Sequence, residues 1–94
     1  MIRSFRDSTT KAVFGGGVLK GFPQKILKVA RRKLEMLNAA TRLSDLAVPP
    51  ANRLEPMRKD RVGQHSIRIN DQWRVCFVWT KDGPENVEIV DYHD

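Results

Sequence analysis

The chain holds one cysteine, two histidines and one tyrosine, and these shortages close off several chemistries at once. A lone Cys76 cannot form an internal disulfide, and it excludes a cysteine-based zinc cage. His65 and His93, set among scattered acids, lack a compact metal-ligand spacing, so neither a metal nor any other cofactor is expected. No apolar run approaches the roughly 18 residues that cross a bilayer. Met1 to Lys20 has no signal-peptide core. No membrane association is therefore expected, and a cytoplasmic location is. Acidic side chains are scarce in one half only. Residues 1–50 carry ten basic against three acidic side chains, whereas residues 51–94 carry seven basic against eight acidic. With 94 residues and a formal net charge of +6, one small basic domain spanning 1–94 is expected. A one-sided positive field attracts polyanions. A solvated helix face has the same composition, and an acidic protein partner would use the same surface.

Periodicity divides the chain. Ile2 to Phe5 is β-compatible and reads as a first strand. Asp7-Ser8-Thr9 offers N-cap oxygens to a short helix over Lys11 to Phe14, which Gly15-Gly16-Gly17 stops. No Gly-Lys-Ser/Thr follows those glycines, so a phosphate loop is not supported. Pro23 suits the first turn of a second helix. There Leu27, Ala30, Leu34, Leu37 and Thr41 recur at helical spacing, with Ile26, Val29 and Met36 widening the stripe. Lys25, Lys28, Arg32 and Glu35 take the other side. The helix is predicted to run to about Ala40, with one further turn at Leu43 to Leu46, before Val48-Pro49-Pro50-Ala51-Asn52 breaks the chain. Period two follows: a short strand in Arg53 to Met57, then Gln64 to Ile69, Trp73 to Trp79 and, after a Lys81-Asp82-Gly83-Pro84 turn, Asn86 to Tyr92. The predicted class is α+β, a β-α-α unit followed by an antiparallel β meander with the helices on one sheet face.

Register can be tested by face. A connection of Asn70-Asp71-Gln72 pairs Ile69 with Trp73, Ile67 with Val75 and His65 with Phe77, giving one apolar face. Shorter turns mix the faces. The same register sets Arg68 opposite Arg74 on the other face, where like charges repel. Either an acid such as Glu88 neutralises them on an ordinary surface, or the two guanidiniums form a phosphate site.

Asp91-Tyr92-His93-Asp94 reads either as simply exposed side chains or, as a cluster beside these arginines, as a proton-transfer set. His93 is an acid or base near neutrality, Tyr92 a stacking or proton-donating group, and Asp91 an orienting group or a plain ion-pair partner. Arg53 to Arg61 adds Glu55 as a possible base and Arg58, Lys59 and Arg61 as phosphate contacts, or is simply a charged loop. His65 reads as a hydrogen-bonded core or edge histidine, Cys76 as a buried structural thiol, and Trp73 and Trp79 as core.

Taken in order, these segments resemble the HigB toxins of the RelE superfamily. The resemblance runs through Met1-Ile2-Arg3-Ser4-Phe5, Lys33-Leu34-Glu35-Met36-Leu37-Asn38-Ala39-Ala40-Thr41 and Asn52-Arg53-Leu54-Glu55-Pro56-Met57. It continues over Gly63 to Phe77 and closes with Val87-Glu88-Ile89-Val90-Asp91-Tyr92-His93. It implies a RelE-like fold and an endoribonuclease that cuts mRNA in the ribosomal A site. It implies a HigA-like helix-turn-helix antitoxin, through which alone operator DNA would be met. The family's Asp-Tyr-His ending falls on Asp91, Tyr92 and His93, an active-site arginine on Arg74, and the basic loop before the sheet on Arg58 and Arg61. Some relatives place a histidine where this chain has Glu55, and a carboxylate cannot supply positive charge there. The implied reaction is metal-free transesterification, with Arg74, Arg58, Arg61, Arg68 and Lys59 on phosphates. Lys25, Lys28, Arg31 and Arg32 would dock on ribosomal RNA. A gyrase poison of the same fold, or an RNA- or DNA-binding module without chemistry, are the rival readings.

Overall fold

The computed structural model describes residues 1–17 and 19–92. Two helices come first, α1 (Ser8–Phe14) and α2 (Gln24–Ala39). Three short 3₁₀ turns, Leu43–Ala47, Pro50–Asn52 and Lys59–Arg61, punctuate the irregular middle. Four strands follow in sequence order across one antiparallel sheet: β1 (Glu55–Pro56), β2 (His65–Arg68), β3 (Trp73–Thr80) and β4 (Gly83–Asp91). This is the predicted α+β arrangement.

The helices form where local chemistry asks for them. The Asp7 side chain accepts from the Thr10 backbone N–H at 2.6 Å, satisfying one of the orphan donors that open α1. α2 starts one residue after Pro23, which stands at its N-cap instead of inside its first turn. It buries Ile26, Ala30, Leu34 and Leu37 against Val13 of α1 and against Ile67, Val75, Phe77 and Val87 of the sheet. Thr41 does not extend that stripe, because the helix ends at Ala39 and Thr41 is exposed.

The strand register agrees with the face argument: His65 pairs with Phe77, Ile67 with Val75 and Arg68 with Arg74. On the next seam Arg74 pairs with Val90, Val75 with Ile89 and Cys76 with Glu88. A bulge follows, since Val78 pairs with Glu85. Asn86 and Val87 thus share the place opposite Phe77, and Asn86 takes a left-handed φ of 53°. The sheet therefore has a closed face on the helices and an open face carrying Glu55, Ser66, Arg68, Arg74, Cys76 and Glu88.

Two expectations need correction here. Ile2 to Phe5 is not a regular strand. It runs parallel to β4 and meets it at one bridge, Phe5 with Val87, with Arg3 N–H donating to Pro84 O and Arg6 N–H to Val87 O. The bulge puts β4 out of step with the neighbouring segment, so a longer ladder cannot form. β4 also starts earlier than expected, since Gly83 and Pro84 belong to it. Gly83 is required there: its φ is 126°, and a Cβ would lie 2.3 Å from the Met1 carbonyl oxygen.

A buried polar tie holds the irregular middle. Asn52 is fully buried. Its Nδ2 donates to the carbonyl of Leu46 at 3.1 Å, and its Oδ1 accepts from Lys33 Nζ at 2.5 Å. Lys33 is itself only 6% exposed. Burial, with Arg32 and Arg68 nearby, pushes its ammonium below the usual lysine range. Its place was legible in the helix spacing, since 26, 30, 33 and 37 lie on one face of a helix.

Candidate active site

The pairing of β1 with β2 sets Glu55 beside Ser66 and so at the head of a row that crosses the open face through Cys76 to Glu88. One step along the strands lies the row of Arg68, Arg74 and Val90. Tyr92 follows β4, its backbone N–H bonded to Gln72 O at 2.8 Å, two residues beyond Val90 and so on the same side as Arg74. The loop after β1 closes over this surface. The result is a cleft of about 640 Å³ lined by Glu55, Pro56, Arg58, Lys59, Asp60, Arg61 and Tyr92.

Arg74 lies under the rim of that cleft. It is 9% exposed, and Nη1 donates to Ser66 Oγ at 2.5 Å and, more weakly, to the Arg53 carbonyl at 3.4 Å. Nη2 stands 3.2 Å from Glu55 Oε1. The two partners differ: Ser66 is fully buried, whereas the Glu55 side chain is 48% exposed. An incoming phosphate can take the place of Glu55 while Ser66 continues to hold the guanidinium, which has five donors to share.

Two further arginines on this face, Arg61 and Arg68, also meet carboxylates. Arg61 Nη1 donates to Glu88 Oε1 at 3.1 Å and to Gln64 Oε1 at 3.2 Å. Burial works against the Arg61 charge, but the Glu88 bond and the negative charge around it together outweigh that, and the guanidinium is held more firmly charged than usual. Arg68 pairs with Asp71. The arginine pair across β2 and β3 is thus neutralised by Glu55 and Asp71 and not by Glu88, which is occupied by Arg61 and by Arg6 at 3.7 Å. Arg58 and Lys59 are exposed. Arg53 and Lys59 adopt left-handed φ values of 47° and 58°. Such conformations cost roughly 1 kcal/mol or more apiece and gather at functional loops.

The remaining sequence-derived residues divide. Asp91 Oδ2 accepts from Gln72 Nε2 at 3.0 Å, and the register places Asp91 opposite Trp73, on the other side of β4 from Tyr92. His93 lies outside the described residues. On α2, Lys25, Lys28 and Arg32 are exposed. Arg31 instead turns inward: Nε donates to Val13 O at 3.0 Å and Nη2 to Gly17 O at 2.6 Å, tying down the carbonyls at the end of α1. Cys76 is fully buried, and burial raises its thiol to about 11, so it is no nucleophile. His65 stacks on Phe77, centroids 6.4 Å apart, with Nδ1 buried and, among the described residues, lacking the hydrogen-bond partner expected of it. Trp73 and Trp79 pack half-buried against the core. The holding roles of Ser66, Gln72 and Gln64 were not apparent from sequence. For Ser66 the register with Arg74 and Glu55 carried the signal.

A small α+β domain with an arginine-lined cleft at the end of a four-stranded meander is the architecture of a RelE-like toxin. Comparison with known proteins gives the family. Residues 3–94 match the model of the HigB-like toxins, RelE-like toxins of type II toxin-antitoxin systems, and the chain belongs to that family. It is 42% identical over 71 residues to Toxin HigB-1 of Vibrio cholerae, covering 76% of this chain and 74% of that one. It is 29% identical over 93 residues to Endoribonuclease HigB of Proteus vulgaris, covering 99% and 100% of the two chains. An uncharacterized protein of Haemophilus influenzae is 35% identical over 65 residues, covering 69% of this chain and 64% of its own. As a toxin of a type II system, the chain has an antitoxin as its partner.

Proposed function

We propose that this chain is an endoribonuclease that acts in the cytoplasm, cutting mRNA in the ribosomal A site and thereby arresting translation, and that a HigA-like helix-turn-helix antitoxin neutralises it. The activity is the one named for the relative from Proteus vulgaris. The observation that carries the reading is the convergence of Glu55, Arg58, Arg61 and Tyr92 on one cleft with Arg74 beneath Glu55.

The reaction is attack of the RNA 2′-hydroxyl on the adjacent phosphorus. A 2′,3′-cyclic phosphate forms as the bond to the 5′-oxygen breaks. It needs a proton acceptor, cations for the charge that builds on the phosphorane, and a proton donor to the leaving oxygen. Arg74 supplies the preorganised charge, with Arg58 or Arg61 above it. Glu55, once displaced from Arg74 by the phosphate, is a carboxylate within the cleft and can accept the 2′-hydroxyl proton. Tyr92 and His93 are the proton-transfer candidates at the leaving group, and Asp91 orients the chain end. Lys59 and Arg68 steer the backbone. Lys25, Lys28 and Arg32 on α2 face ribosomal RNA, while Arg31 stiffens that surface from within. Alignment of the message by the ribosome supplies the rest, an effect worth up to about 7–11 kcal/mol.

The test is cleavage of message on purified ribosomes, read as mapped RNA ends. Tyr92→Phe and His93→Ala are each expected to slow cleavage by ~10²-fold or more. Antitoxin is expected to abolish cleavage by the parent chain. If the parent leaves all message ends unchanged while poisoning gyrase, the reading is wrong.

A further inference from the structure

A second basic cleft lies beside the first. It is about 480 Å³, lies between the N-terminal segment and α1, and is lined by residues 2–8 together with Lys11. Three cations stand in it, Arg3, Arg6 and Lys11, all exposed. One acid stands among them, Asp7, and that carboxylate is already used as the cap of α1. Among the described residues no ion pair engages Arg3 or Lys11, whereas Arg61, Arg68 and Arg74 in and around the active-site cleft each have a carboxylate.

Glu88 links the two clefts. Glu88 holds Arg61 of the active-site cleft through Oε1 and Arg6 of the second cleft through Oε2. One carboxylate thus stands between two guanidiniums, and a line through it joins Arg61 of the one cleft to Arg6 of the other, where Arg3 and Lys11 also stand. A polyanion with regularly spaced charges fits such a line. A single free phosphate would have no use for its length.

We infer that the cleft of Arg3, Arg6 and Lys11 is a second subsite for the RNA phosphodiester backbone, holding nucleotides that flank the one being cut. The inference rests on the RNA-cleaving reading above and extends it. It assigns the N-terminal segment a binding role: Phe5 anchors the segment to the core, and Arg3 and Arg6 present their charge outward. It also gives Glu88 a positioning role, keeping the two guanidiniums together while no RNA is bound. The backbone held there belongs either to the message or to ribosomal RNA, and the chemistry is common to both.

The experiment compares the full parent chain with an Arg3→Ala/Lys11→Ala variant, neither position being in the cleavage machinery. Binding is measured against ionic strength for a labelled single-stranded oligoribonucleotide several nucleotides long, for a dinucleotide, and for ribosomes without message. A charge-retaining Arg3→Lys/Lys11→Arg variant controls for folding, together with the melting temperature. Each cation withdrawn from a single strand lowers the slope of log affinity against log salt by about 0.7, so a drop of about 1.4 is expected for the long oligonucleotide. The dinucleotide is expected to bind unchanged, and the charge-retaining variant to bind like the parent. A drop seen with the long oligonucleotide identifies the message as the occupant. A drop seen with vacant ribosomes alone identifies ribosomal RNA and supports the same subsite. An unchanged slope in both arms overturns the inference, as does a loss confined to antitoxin binding, which would make the cleft a seat for an acidic peptide. If the parent chain itself neither binds RNA nor cuts message, it is the proposed function that has failed.

Discussion

The two faces of the same sheet are held by opposite means. On the closed face Ile67, Val75, Phe77 and Val87 are fully buried against Leu34 and Leu37 of α2, and apolar contact alone organises them. On the open face guanidiniums from β2, from β3 and from the Lys59–Arg61 turn meet carboxylates: Arg68 meets Asp71, Arg74 meets Glu55 and Arg61 meets Glu88. Buried apolar contacts have no substitute in water, so the closed face is committed to the fold. An ion pair to a half-exposed carboxylate such as Glu55 contributes little, about 0–1 kcal/mol, and a phosphate can replace that acid. The face that is least bound to stability is the one able to exchange partners.

Substitutions on each face sharpen this contrast. Phe77→Ala empties a fully buried site and is expected to lower stability by about 3–5 kcal/mol in chemical denaturation, with activity lost only as the unfolded fraction rises. Asn52→Ala leaves the Lys33 ammonium buried without its partner, and a loss of about 1–3 kcal/mol is expected by the same measurement. Asp7→Ala removes the cap of α1 and is expected to cost about 1 kcal/mol. On the open face, Glu88→Gln is expected to change stability by about 1 kcal/mol or less while altering the salt dependence of RNA binding. A large loss of stability there would break the contrast.

Lys33 offers a finer test through pH. Its folded value is depressed below 10.5, so the unfolded chain binds the proton more tightly. The charged form therefore costs stability at neutral pH, and that cost is relieved as pH rises from the folded value toward 10.5. Relative to Lys33→Met, the parent is expected to gain stability over that alkaline window. A difference that stays flat with pH would show that burial of Lys33 carries no such cost.

Much of the fold was legible because period two and one-sided burial admit a single register, which by itself sets Arg68 opposite Arg74. The length of the N-terminal strand was not, since it depends on a bulge at Asn86 and on the approach of Met1 to Gly83. The site was half legible. The family resemblance supplied the roles proposed for Arg74, Tyr92 and His93, and the residues themselves suggested phosphate chemistry. The partner of Arg74 was missed because it depends on how the irregular segment after α2 returns to β2, a path set by Asn52 and Lys33. A buried lysine defies the usual sorting of charge to the surface, so composition alone hides it. Arg31 misleads in the same way: it reads as surface charge, yet it is used to hold backbone carbonyls.

The exchange of Glu55 for an RNA phosphate on Arg74 is the centre of this account, and single-turnover cleavage of message on ribosomes by Arg74→Ala tests it most directly. The expected result, measured where the variant is still folded, is a fall of ~10²–10³-fold. Cleavage at the parent rate would contradict it.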